Sequence, residues 1–105
     1  MQSSIEICVH YGGIMVKRRQ GYDYVGGDSI MVCGVNTYEF FYNQLLEWVF
    51  HNLNCCEVGA VLYRLPGRSI SDSSGISIIE EDSDLEWLYR HSVIGDVVDL
   101  YILPL

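Results

Sequence analysis

The sequence predicts an α+β domain in which one mixed sheet carries one long helix, and three observations lead there. Ser4 to His10 alternates apolar and polar residues at the period of a half-buried strand. Between Thr37 and Asn52 the apolar residues recur at the period of a helix. Two apolar, β-rich runs follow, Val58 to Leu65 and Val97 to Leu103.

In the first strand Ile5, Ile7 and Val9 share one face, while Glu6, Cys8 and His10 share the other. Tyr11-Gly12-Gly13 reads as a turn, since paired glycines supply the positive φ that tight hairpins need. Ile14 to Arg19 then reads as the returning strand, with Ile14 and Val16 inward. Gln20 to Asp28 is turn-rich, and Ser29 to Cys33 adds a short extended segment.

Asn36, followed three residues later by Glu39, is a capping-box variant that opens the long helix. Phe41, Leu45, Trp48, Val49 and Leu53 form its buried stripe, and Asn54 marks its end. Val58 to Leu65 is a strand broken by Pro66-Gly67. A polar connection, Ser69 to Ser74, leads to a strand from Gly75 to Ile79. Ser83 with Glu86 predicts a capping box for a short helix whose apolar face is Leu85, Leu88 and Tyr89. Gly95 ends that helical region, and Val97 to Leu103 is the last strand, closing at Pro104.

The order is ββαββαβ over a single domain, residues 1–105. The ubiquitin-like β-grasp roll has this order: a mixed sheet with one long helix packed on it, its first and last strands parallel at the centre. Val97-Val98 and Leu100 to Leu103 are apolar enough for such a central strand.

A chain of 105 residues buries roughly two thirds of its unfolded surface, enough for one core. Its net charge of −8, with six Lys and Arg in all, argues against direct contact with nucleic acid or an anionic membrane. A basic protein surface is the complement to that charge. No stretch reaches the ~20 apolar residues that span a bilayer, and Met1-Gln2-Ser3-Ser4 lacks the basic-then-apolar order of a secretory signal. Cys8 and Cys33 stand alone and Cys55-Cys56 are adjacent, which suits free thiols in a reducing, intracellular compartment.

Five of the fourteen acidic residues fall in Glu80-Glu81-Asp82-Ser83-Asp84-Leu85-Glu86. Held at a strand-to-helix turn, these carboxylates repel one another, and Lys or Arg from a partner relieves that repulsion. A calcium loop does not fit: counting from Glu80, the sixth residue is Leu85 rather than Gly and the twelfth is His91 rather than Glu. Glycosidase chemistry needs two carboxyl groups across a cleft, which one short turn does not provide.

Ile78-Ile79-Glu80-Glu81-Asp82-Ser83-Asp84-Leu85-Glu86-Trp87-Leu88 resembles the acidic motif of PB1 domains, ubiquitin-like modules in which an acidic face on one domain docks on a basic face of another. Val9-His10-Tyr11-Gly12-Gly13, followed by Tyr24-Val25-Gly26-Gly27, is similar to the PB1-like domain at the N-terminus of plant Mutator-type transposases. The resemblance spans Ile5 to Leu103 and implies a nuclear protein, either an excised domain or a stand-alone relative. It implies an acidic face of Glu81, Asp82 and Asp84, extended by Glu86; Glu80, in the same acidic run, is a further candidate for protein binding. The basic face of such domains uses a Lys on the first strand. Cys8 stands in that place, so the basic face is incomplete and reduced to Lys17, Arg18 and Arg19 near the end of the second strand.

Other chemistry is poorly supported. Cys8 and His10 share a strand face and Cys33 could approach them, yet a zinc site wants a fourth ligand and CxxC-like spacing. Cys55-Cys56 follow a helix end, where the dipole raises a thiol's pKa. His51 and His91 lie late in their helices, as surface or capping residues do. The glycine pairs lack the GxGxxG and GxxxxGK patterns that cradle phosphate. Tyr38 and Tyr42, at the helix edge, form a second candidate contact surface if both are exposed.

The sequence therefore predicts no enzyme, metal or cofactor. It predicts a module that docks its acidic face on a basic partner, which could be another PB1-like domain. The alternatives are self-association, acidic turn to Lys17-Arg18-Arg19 of a neighbour, and a small metal-binding or enzymatic domain built on Cys8, His10 and Cys33. Reversing the charge of Asp82 and Asp84 is expected to abolish docking with the fold intact.

Overall fold

The computed structural model describes residues 3–53, 58–72 and 74–105. Its elements run β1 (Ser4–Tyr11), β2 (Ile14–Lys17), β3 (Tyr22–Val25), β4 (Asp28–Asn36), α1 (Tyr42–Leu53), β5 (Val58–Arg64), β6 (Ile76–Ile79), α2 (Asp82–His91) and β7 (Val98–Pro104). Five strands form one sheet in the order β4-β1-β7-β5-β6, and β2 and β3 form a separate two-stranded sheet. β1 and β7 are parallel at the centre, and the other pairs are antiparallel. This is the α+β, β-grasp architecture that the element order predicts.

Alternation decides which side of the sheet becomes the core. Ile5, Ile7 and Val9 from β1, Val61 from β5 and Val98, Leu100 and Ile102 from β7 are buried on one face. Leu45, Val49 and Leu53 of α1 join the same cluster, at the spacing of a helical stripe, as do Leu85, Leu88 and Tyr89 of α2. Each such side chain contributes about 1.5–3 kcal/mol of transfer free energy. Phe41 and Trp48, also expected in the stripe, pack against this cluster half-buried. Asn54 and Cys55-Cys56 lie outside the described residues.

The N-terminal half departs from the expected plan. β2 does not return along β1; it pairs with β3, Ile14 opposite Val25 and Lys17 opposite Tyr22. Both edges of β1 are already taken, one by β7 and the other by β4, which runs nine residues rather than a short segment. Ile14 accordingly points to solvent, 62% exposed, and Val16 is half-buried. The two glycine pairs serve a close crossing as well as a turn. Gly27 has φ +74, and a Cβ there would lie 2.4 Å from both the Gly13 nitrogen and the Tyr11 carbonyl oxygen.

Both predicted capping boxes shift. Asn36 ends β4; its side chain accepts from the Tyr38 amide at 2.9 Å, an Asx turn that diverts the backbone before any helix starts. α1 begins at Tyr42, where Gln44 reaches back to the Phe41 amide. In α2 the cap is Glu81 with Asp84 three residues on, in place of Ser83 with Glu86. α2 ends at His91, with Ser92 as its C-cap, before Gly95.

Candidate functional site

The acidic run lies where β6 hands over to α2, and most of its carboxylates already have work inside the molecule. Asp84 accepts from the backbone amides of Glu80, at 2.8 Å, and Glu81, at 3.1 Å. The Glu81 carboxylate in turn accepts from the Asp84 amide and takes a second bond from the Ser83 hydroxyl at 2.8 Å. Asp82 accepts from the Tyr42 amide at 2.9 Å, so it caps the first turn of α1 from across the fold. Glu86 pairs with Arg90 at 2.6 Å, one turn along α2. Negative charge is favoured at these two helix N-termini. The turn is therefore an acidic ridge with a hydrogen-bonded backbone: Glu80, Glu81, Asp82 and Glu86 are exposed and Asp84 is half-buried.

That geometry corrects one expectation. Reversing Asp82 and Asp84 removes caps from both helices, so the fold is not a bystander in that experiment. Glu80 and Glu86 are the acidic positions whose reversal leaves the caps in place.

Lys17, Arg18 and Arg19 are exposed at the end of β2, on the separate small sheet. The Lys17 ammonium lies 4.6 Å over the Tyr22 ring, and Arg18 meets Asp23 at 3.3 Å. Among the described residues no ion pair joins this group to the acidic ridge.

The face of the main sheet away from the helices holds a polar cluster. Cys8 and His10 alternate outward on β1, and the parallel register sets Cys8 beside Asp99 and His10 beside Tyr101. His10 Nε2 lies 2.8 Å from Asp99 Oδ1, and Arg64 Nε donates to Asp99 Oδ2 at 2.8 Å. Arg64 also meets Asp96 at 3.2 Å and donates to the Arg68 and Val97 carbonyls. The His10 ring stacks on Tyr101 with centroids 4.5 Å apart, and Tyr24 closes over both. Burial works against the Asp99 carboxylate, but hydrogen bonds from His10 and Arg64 outweigh it and hold its pKa below the ordinary value. Burial pushes the Cys8 thiol up despite a hydrogen bond from Ser29.

Sequence reasoning placed Cys8 and His10 on one face correctly but named Cys33 as their companion. Cys33 is exposed on β4, an edge strand, and Met31 is the residue opposite Cys8. The true third member is Asp99. A charge interrupting an otherwise apolar central strand was the available signal, because such a residue must find partners on the outer face.

Tyr38 is 63% exposed, whereas Tyr42 packs against the core, so the two do not form an exposed pair. His51 is exposed beside Phe50; His91 stacks on Trp87 with its Nδ1 2.8 Å from the Trp87 carbonyl. No helix among the described residues is long and apolar enough to cross a membrane.

Residues 1–103 match the family model described as the PB1-like domain. No curated protein and no solved structure gives a significant match.

Proposed function

The chain belongs to the PB1-like domain family, a family of protein-interaction modules, and from that premise we propose that it docks the Glu80–Glu86 ridge on the basic face of a partner protein. The observation that carries this reading is the cluster of exposed carboxylates on the capped β6–α2 turn, in a chain of net charge −8. A ridge already ordered by caps loses little entropy on docking. The contact is charge-assisted, so it weakens with salt. The two glycine-containing motifs support a relation to the N-terminal domains of plant Mutator-type transposases, and with it a nuclear setting.

Glu80→Lys with Glu86→Lys tests the docking surface. We expect salt-sensitive capture of partners from native extract to be lost while circular dichroism is unchanged. Undiminished capture overturns the reading.

A second reading is self-association, favoured by the exposure of Lys17, Arg18 and Arg19 on a different part of the fold. Acidic ridge to basic hairpin is a heterologous contact, which builds open chains. Sedimentation over a rising concentration series distinguishes it: a monomer throughout excludes it.

A further inference from the structure

Outside the acidic ridge, a close group of potential ligand atoms among the described residues is on the far face of the sheet. Cys8, His10 and Asp99 each offer one, and all lie within 4.8 Å of one another. We propose that Cys8, His10 and Asp99 form a three-ligand zinc site on the outer face of the main sheet, with its fourth position left to solvent.

Two adjacent strands fix the ligands. Cys8 and His10 project from alternate positions of β1, and Asp99 comes from the register position beside Cys8 on β7. Zinc bond lengths of 2.0–2.3 Å at a tetrahedral angle set donors about 3.5 Å apart. The His10–Asp99 contact of 2.8 Å has to open slightly and the widest pair has to close, both within side-chain reach. One sulfur, one imidazole nitrogen and one carboxylate oxygen suit a borderline-soft ion such as zinc better than calcium or magnesium.

Arg64 has a positioning role. It holds Asp99 Oδ2 at 2.8 Å and leaves Oδ1 turned toward His10, as carboxylate ligands are commonly held by a second hydrogen bond. Binding replaces the hydrogen bond between His10 and Asp99: zinc takes Nε2 and Oδ1, the neutral imidazole carries its one hydrogen on Nδ1, and the Cys8 thiol releases its proton to solvent. Of the three ligands, His10 lines an open cavity of about 430 Å³ that it shares with Tyr24, Tyr101, Asp23, Asp28 and Ser29, a route by which water reaches the site.

The test uses the full chain, reduced and stripped of metal, titrated with Co²⁺. We expect one equivalent to produce tetrahedral bands with a sulfur-to-cobalt charge-transfer band, and Zn²⁺ to bleach them. Cys8→Ser should lose the charge-transfer band and Cys33→Ser should keep it. A second measurement needs no variant: Zn²⁺ should slow alkylation of Cys8 in the wild-type chain but not that of Cys33. Absence of the cobalt band together with unprotected Cys8 overturns the proposal, as does a band that survives in Cys8→Ser.

Discussion

The Asp82 carboxylate accepts a hydrogen bond from the Tyr42 amide at 2.9 Å, joining residues forty positions apart. It satisfies one of the amides that the first turn of α1 leaves unpaired, and it ties that helix to the turn that starts α2. Asp82→Ala is expected to cost about 1 kcal/mol, the usual loss for a helix cap. Asp82→Asn keeps an acceptor and should lose less. Urea unfolding of the two variants measures the difference; equal stability of Asp82→Ala and the wild type refutes the role.

Arg64 is 15% exposed and joins Asp99 to Asp96 and to two carbonyls. Arg64→Met leaves the Asp99 charge with His10 as its remaining close partner. A broken buried pair costs about 3–5 kcal/mol; with Asp99 21% exposed, a loss of about 2–3 kcal/mol is expected.

The same network makes a prediction about acid. Because its folded pKa is depressed, Asp99 stabilises the fold above its ordinary pKa, and that contribution disappears as pH falls through the depressed value. In Arg64→Met the depression shrinks, so less acid-sensitive stability remains to be lost at low pH. Unfolding curves collected from neutral pH downward should show a shallower fall for the variant than for the wild type.

Tyr89 is fully buried and donates its hydroxyl to the Phe40 carbonyl at 2.6 Å. That bond fastens the segment before α1 to α2. Tyr89→Phe leaves the carbonyl without this donor and should cost about 1–2 kcal/mol in denaturant unfolding. Burial also pushes the phenol pKa well above its ordinary value, so Tyr89 should be among the last tyrosines to ionise in an alkaline absorbance titration.

Gly27→Ala puts a methyl group against the backbone of Tyr11 and Gly13 at a positive φ, and a loss of about 2–3 kcal/mol is expected. Gly26 has the same φ of +74 but open space around it. Gly26→Ala should therefore lose only the conformational part, about 1 kcal/mol. Thermal melts of the pair separate contact from conformation.

Periodic burial made much of the fold legible. β1, β5, β6 and β7 fall within a residue or two of their expected ranges, because a strand with one face in the core must alternate and a central strand must be apolar. The stripe of α1 and the apolar face of α2 follow from the same rule. β3 was not legible: Tyr22–Val25 lies among glycines and faces its short partner alone, so it carries little burial signal. The start of α1 was misplaced because Asn36 fits both a helix cap and an Asx turn, and local spacing does not choose between them.

By itself, the sequence determined the apolar faces of the strands and helices, the buried character of β7 and the position of the acidic run, since each depends on residues close together in the chain; the parallel pairing that sets Ile7 beside Val98 does not. Tertiary structure alone decided what those residues meet. It assigned Asp82 to a helix forty residues away, lifted β2 off the sheet, and brought Asp99 beside Cys8 and His10 across 89 positions from His10. The acidic run is a local pattern, whereas a cap donated to another helix and a cluster shared by two strands depend on register and packing, which no short window of sequence contains.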